Sequence, residues 1–302
     1  MPAEPRRSAP RVLKRDDVAR DHPLLPYLRL VRAPAAFSAL GDPLAGMIAA
    51  CGGLSRERAP RLAAASALIY LAGMALNDLA DRDEDARERP ERPIPSGAVS
   101  PRAAAMVGGA LLFGGIAVAR GAGARWTGPA LAAMVVAYDF RLKHSATFGP
   151  IAMGACRSLS LLMGAEASAT DGVHRSSKAA LLLGAYVAGL TLLARSETGT
   201  AKHAELQGGA ALAGAALVAA AVRGGPASMA WAAGAAALAG PAVSRALSDP
   251  GPKTVGPAVG ALVRAIPALD GALAGATRPV PALVLLSLLG LTRWGRTIIP
   301  IA

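Results

Sequence analysis

Residues 62–97 read LAAASALIYLAGMALNDLADRDEDARERPERPIPSG. The first half is an apolar run of about 19 residues, which at ~1.5 Å per residue is long enough to cross the hydrocarbon core of a bilayer. The second half concentrates Asp78, Asp81, Asp83, Glu84, Asp85, Glu88 and Glu91 among Arg82, Arg87, Arg89 and Arg92. Together they predict a hydrophobic helix that carries a carboxylate cluster to the membrane interface.

The rest of the chain agrees with a membrane setting. Its 302 residues are 53% hydrophobic and only 17% charged, too apolar for an ordinary soluble domain of this length. Further apolar segments near 33–52, 103–119, 127–140, 149–165, 179–194, 207–222 and 227–244 alternate with short polar loops, and a last pair lies near 256–275 and 280–292. That pair can include one interfacial or re-entrant helix, so about nine transmembrane helices are expected. The fold class is therefore all-α, a polytopic membrane helical bundle, and its many Gly and Ala residues suit close helix packing in lipid.

Charge then fixes an orientation. With the N-terminus in the cytoplasm, roughly 21 Lys and Arg fall in the tail and in alternate loops on that side and roughly 9 on the other, as the positive-inside rule requires. Residues 81–102, 141–148 and 195–205 then share the cytoplasmic face. The net charge of +12 would suit nucleic acid in a soluble protein, but spread over membrane loops it points to membrane lipid, and no nucleic-acid partner is expected. Residues 1–26, with Arg6, Arg7, Arg11, Lys14, Arg15 and Arg20, read as a disordered basic cytoplasmic tail. They lack the apolar core of a signal peptide, and residues 27–302 read as one transmembrane domain. Cys51 and Cys156 offer neither a disulfide framework nor metal-ligand spacing.

Within the cluster, Asn77, Asp81 and Asp85 stand at i, i+4 and i+8, which stacks them along one helix face with Asp78 beside them. Carboxylates one turn apart are ~6 Å apart along the axis. Like charges so close need a cationic answer. Mg²⁺ supplies one, since it takes oxygen ligands, usually one or two carboxylates, and completes its shell with water and substrate phosphates. The plainer reading is a solvated loop in which the carboxylates pair with the neighbouring arginines.

Residues 77–85 resemble the first aspartate-rich signature, NDxxDxxxD, of the UbiA superfamily of intramembrane prenyltransferases, and RPIPSG at 92–97 is similar to the segment that follows it. YDFRLK, Tyr138 to Lys143, resembles the family's segment after the fourth helix, and LRLVRAP at 28–34 its N-terminal arginine motif. The resemblance implies a bundle around a central lipid-open cavity capped by cytoplasmic loops, which binds a prenyl diphosphate through Mg²⁺, ionises it and lets a small acceptor capture the allylic cation. On that basis Asn77, Asp78, Asp81 and Asp85 form the first metal and diphosphate half-site. Lys143, with Arg141, contacts phosphate, or is an interfacial lysine. Tyr138 lines the acceptor or allyl site, or is an interface aromatic.

Arg157 lies inside the fifth span, where an ionisable side chain faces a polar cavity or a partner; a phosphate or acceptor contact and a structural ion pair are both open. The family's second aspartate-rich motif is expected after the sixth span, where this chain has RSETGTAKHAE, residues 195–205. Either Glu197 stands in as a lone metal ligand, or Arg195 and Lys202 contact the diphosphate directly, or transferase activity is lost and a lipid-binding or transport-associated protein remains. RSETG, with ALGDPLAG at 39–46, also resembles the EboC-like branch of the superfamily. The expected function is an integral-membrane, Mg²⁺-dependent transfer of an isoprenoid from a prenyl diphosphate to a small, aromatic or cyclic acceptor.

Overall fold

The computed structural model describes residues 24–32, 39–195, 203–275 and most of 281–290. The tail up to residue 23, residues 33–38 of the first expected span, and Glu197 and Lys202 lie outside the described residues. The described chain is all-helical. In order it forms α1 (Leu25–Leu30), α2 (Gly41–Cys51), α3 (Arg58–Ala80), α4 (Arg82–Glu88), α5 (Pro101–Gly121), α6 (Thr127–Phe140), a 3₁₀ turn (Leu142–His144), α7 (Phe148–Glu166), α8 (Gly172–Ala194), α9 (His203–Arg223), α10 (Gly225–Ser248) and α11 (Pro252–Ala274).

Five of these, α3, α5, α8, α9 and α11, are long and apolar enough to cross a membrane. With the large apolar side chains that face outward, among them Met106, Phe113, Leu181, Val218 and Val222, they make this an integral-membrane bundle. Two elements are shorter than the ~20 residues of a straight crossing. The 14-residue α6 coincides with the apolar run expected at 127–140, the described part of the first expected span holds the 11-residue α2, and both flank the cavity described below.

Helices that follow each other in sequence mostly pack side by side, and α11 returns against α2 and α8, so the chain closes into a ring. Alanine and leucine from α8 to α11 fill its larger core, around Leu183, Tyr186, Leu193 and Leu269. On the other side α3 packs against α5 and α6, and α2 against α7. The α2–α7 crossing is the closest approach that matters for the site. A Cβ at Gly46 would overlap the Leu161 carbonyl, and one at Gly164 the Pro43 carbonyl. Only glycine at these two positions lets the backbones touch.

Candidate active site

Helix α3 ends at Ala80, and Asp81 (φ −91°, ψ 5°) joins it to α4. Turn-to-turn pairing continues through the joint, with Asp81 N–H donating to Asn77 O at 2.9 Å and Asp85 N–H to Asp81 O at 2.8 Å. The side chains nonetheless divide. Asn77 Nδ2 donates to Asp81 Oδ2 at 3.0 Å, and Lys143 Nζ joins both, 3.1 Å from Asn77 Oδ1 and 2.5 Å from Asp81 Oδ1. Asp85 sides instead with Asp78: Arg92 Nη1 lies 2.6 Å from Asp85 Oδ2 and 3.4 Å from Asp78 Oδ1. Arg32 Nη2 adds a 2.8 Å contact to Asp78. The single face expected from spacing is thus two groups, because the helix bends at Asp81 and Arg92 draws the other two carboxylates together.

Local sequence explains how the arginines reach them. RPIPSG folds back on itself, with Ser96 N–H donating to Arg92 O at 3.0 Å, Gly97 N–H to Ile94 O at 3.1 Å and Val99 N–H to Pro93 O at 2.8 Å. Gly97 supplies the left-handed φ of 78° that completes the turn. Ile94 is thereby buried with Leu30, Ala75, Val99 and Ala104 from the surrounding elements. Ser100 then caps α5, accepting a hydrogen bond from Ala103 N–H at 3.1 Å. On the other side α1 buries Leu30, and Arg32, itself at φ 46°, follows directly.

Below this mouth lies a cavity of about 270 Å³ between α2, α3, α6 and α7. Its wall is apolar in the middle, with Ile69, Leu131, Val135 and Met153, and polar at both ends. Arg32, Asn77, Tyr138 and Asp139 line the mouth end, and Asp42, Ser66, Arg157 and Ser160 the inner end. Asp139 is a site residue that motif reading missed; it is buried, and its Oδ2 has no hydrogen-bond partner. A carboxylate near the end of an apolar span was the available signal.

The remaining expected residues are placed as follows. Arg157 Nη2 is 2.7 Å from Asp42 Oδ1, both buried, so it takes part in an ion pair and lines the cavity at once. Arg141 is exposed beyond α6. Arg195 follows α8 as its C-terminal cap. Among the described residues no three His, Cys, Asp or Glu side chains converge on one metal-sized point. The donor chemistry still fits Mg²⁺, because the Asn77 amide oxygen, the Asp81 carboxylate and the unpartnered Asp139 Oδ2 are oxygen ligands around one mouth, and this ion needs only one or two carboxylates from the protein.

A family model described as the UbiA prenyltransferase family matches residues 43–197, which hold the mouth and most of the cavity wall. The chain belongs to the UbiA family. Among curated relatives it is 30% identical over 191 residues to the digeranylgeranylglyceryl phosphate synthase of Methanoculleus marisnigri, covering 63% of this chain and 65% of that one. It is 32% identical over 149 residues to the protein of the same name from Methanothrix thermoacetophila, covering 48% and 56%. The matches thus span less than two thirds of these relatives. The structure of a UbiA homologue from Aeropyrum pernix superposes with a TM-score of 0.62 at 18% identity, covering 87% of this chain and 98% of that one. That likeness is one of fold, and the UbiA fold accounts for the ring of helices and for the cavity it encloses.

Proposed function

We propose that this UbiA-family chain is a membrane prenyltransferase, transferring an isoprenoid from a prenyl diphosphate to a small acceptor with Mg²⁺ as cofactor. The observation that supports it most is the Asn77–Asp81–Lys143 group at the mouth of an apolar cavity. A polar mouth over an apolar chamber matches a donor with a charged head and a hydrocarbon chain. The mouth and the N-terminus are assigned to the cytoplasm, and residues 27–302 to one domain.

In this reading Asn77 and Asp81 hold the metal directly. Asp78 and Asp85, together with Glu197, complete the negative field around it. When bound, Mg²⁺ supplies positive charge against the departing diphosphate. Lys143 binds a phosphate oxygen by turning from Asp81, and Arg195, Lys202 and Arg141 extend the cationic side of the mouth. The C–O bond of the donor breaks with its electron pair leaving on diphosphate, and the acceptor forms the new bond at that carbon and releases its proton. The apolar wall and Tyr138 hold the allylic carbon away from water.

The names of the curated relatives suggest a glyceryl phosphate as the acceptor class. Placement nearest the EboC-like branch is part of the same proposal and rests on ALGDPLAG and RSETG. RSETG, where a second acidic motif is expected, favours a second reading, a lipid-binding protein without transferase activity. Release of diphosphate from farnesyl or geranylgeranyl diphosphate by purified protein with Mg²⁺ separates the two. The transferase reading expects release that Asp81→Asn lowers by orders of magnitude; equal release by Asp81→Asn removes the assigned role of that carboxylate, and binding without release from any donor favours the second reading.

A further inference from the structure

Arg157 and Arg264 both stand at membrane depth, and the fold treats them differently. Arg157 meets Asp42 at 2.7 Å. Arg264 lies near the middle of α11, twelve residues after Pro252 and ten before Ala274, in a helix long and apolar enough to cross a membrane. Among the described residues no carboxylate pairs with its guanidinium and no oxygen accepts a hydrogen bond from it. Residues 276–302, which follow the helix, contain no Asp or Glu. An arginine at that depth is costly unless a partner, water or a displaced headgroup answers its charge.

The surroundings of Arg264 show where such an answer can come from. Lys253, Pro257, Gly260 and Arg264 recur at helical spacing and share one face of α11. Lys253 and Pro257 are exposed and Gly260 and Arg264 half-buried, whereas Val255, Ala258, Leu262 and Ala265 are buried in the larger core. The guanidinium folds back over Gly260, where a Cβ would stand 3.2 Å from Arg264 Nη1, as expected of a helical side chain that leans toward the N-terminus. Gly260 follows Lys253 by seven residues, ~10 Å of helix axis. Between the two cations Gly260 presents no side chain and Pro257 only a compact ring, so this face is a shallow trough. Further along it is closed, since a Cβ at Gly271 would overlap the Trp231 indole of α10. The trough therefore opens at the Lys253 end of the helix and stops at Arg264.

We propose that this face of α11 binds the phosphate of an anionic membrane phospholipid, with Arg264 as the deep contact and Lys253 at the rim. A phosphodiester accepts charge-assisted hydrogen bonds from the paired N–H donors of a guanidinium. Depth selects the source of that phosphate. A lipid enters the trough with its acyl chains against the apolar outer surface, whereas a free anion would have to leave water without such compensation. Arg264 and Lys253 are not among the residues that line the cavity, so the site does not depend on the transferase reading.

The test is titration of the full-length protein in detergent with phosphatidylglycerol and with phosphatidylcholine, the first bound lipid being read by native mass spectrometry. The wild type should bind phosphatidylglycerol roughly tenfold more tightly than phosphatidylcholine. Arg264→Leu should bring that ratio toward one, Arg264→Lys should keep part of it, and Lys253→Leu should lower it by a smaller factor. In detergent without lipid, Arg264→Leu should unfold at the wild-type temperature or above, because it removes a charge that has no partner in the protein. Added phosphatidylglycerol should then stabilise the wild type and not this variant. An equal ratio in wild type and Arg264→Leu, or a lower unfolding temperature of Arg264→Leu without lipid, would overturn the proposal. Displacement of the lipid by inorganic phosphate at equal concentration would overturn a lipid as the occupant.

Discussion

The two ends of the cavity both set carboxylates against cations, and they do so in opposite ways. At the mouth the partners are shared, with Arg92 serving Asp78 and Asp85, and Lys143 serving Asn77 and Asp81. At the inner end the buried Asp42 is paired with Arg157 at 2.7 Å, with the buried Asp270 carboxylate packed on the adjoining Gly41. In a shared network a cation that turns to a ligand leaves each carboxylate with a neighbouring polar or charged group, so the lost contact is partly replaced. A buried one-to-one pair has no such replacement, because either charge left alone there is strongly penalised. Similar chemistry thus makes a working edge at one end and a fixed surface at the other.

The sharpest way to break that contrast is to unbalance the inner pair. Arg157→Leu should cost about 3–5 kcal/mol by stranding Asp42, whereas Asp42→Leu/Arg157→Leu should recover only part of that loss, because the buried Asp270 carboxylate behind the pair still lacks the arginine. Thermal unfolding in detergent reads both, and a double variant no more stable than the single would show that Asp42 does not depend on Arg157. At the mouth the order of effects reverses. Asp81→Asn should lower diphosphate release by roughly 10²–10³, with the unfolding midpoint nearly unchanged. A large midpoint loss there would make Asp81 a structural residue.

Arg92→Met lies between these extremes. It leaves Asp78 and Asp85 close together without their bridge and should cost about 1–3 kcal/mol, of which Asp85→Asn in the same chain should restore part; a full additive loss would mean the two carboxylates do not share that arginine. The smallest effect belongs to the exposed Arg61–Glu57 pair one turn apart on α3. Arg61→Gln should change stability by no more than ~0.5 kcal/mol, and a larger loss would undo the ranking by burial.

Much of this was legible in the sequence, for reasons that can be named. The helical bundle follows from apolar runs separated by polar loops, a local signal. One half of the mouth follows from NDLADRDED, because Asn77 and Asp81, a turn apart on one helix end, meet. The partners were not legible. Arg157 showed as an intramembrane cation, but Asp42 lies 115 positions away, and only the α2–α7 crossing brings them together. Asp139 sat beside the noticed Tyr138 without a motif of its own. The division of the acidic cluster depended on a bend at Asp81 and on a loop that returns Arg92 to the helix it had left.

The turn at RPIPSG has a consequence for how the mouth responds to its medium. Ile94 is seated among Leu30, Ala75, Val99 and Ala104, so apolar burial, not attraction between charges, fixes where the backbone of Arg92 stands. Added electrolyte weakens exposed ionic contacts over a Debye length of ~8–10 Å near physiological strength, but it does not loosen an isoleucine anchor. The exposed Arg61–Glu57 pair should therefore fade as ionic strength rises while the Arg92 clasp persists. The protein would shed its surface ion pairs before it lost the shape of the mouth.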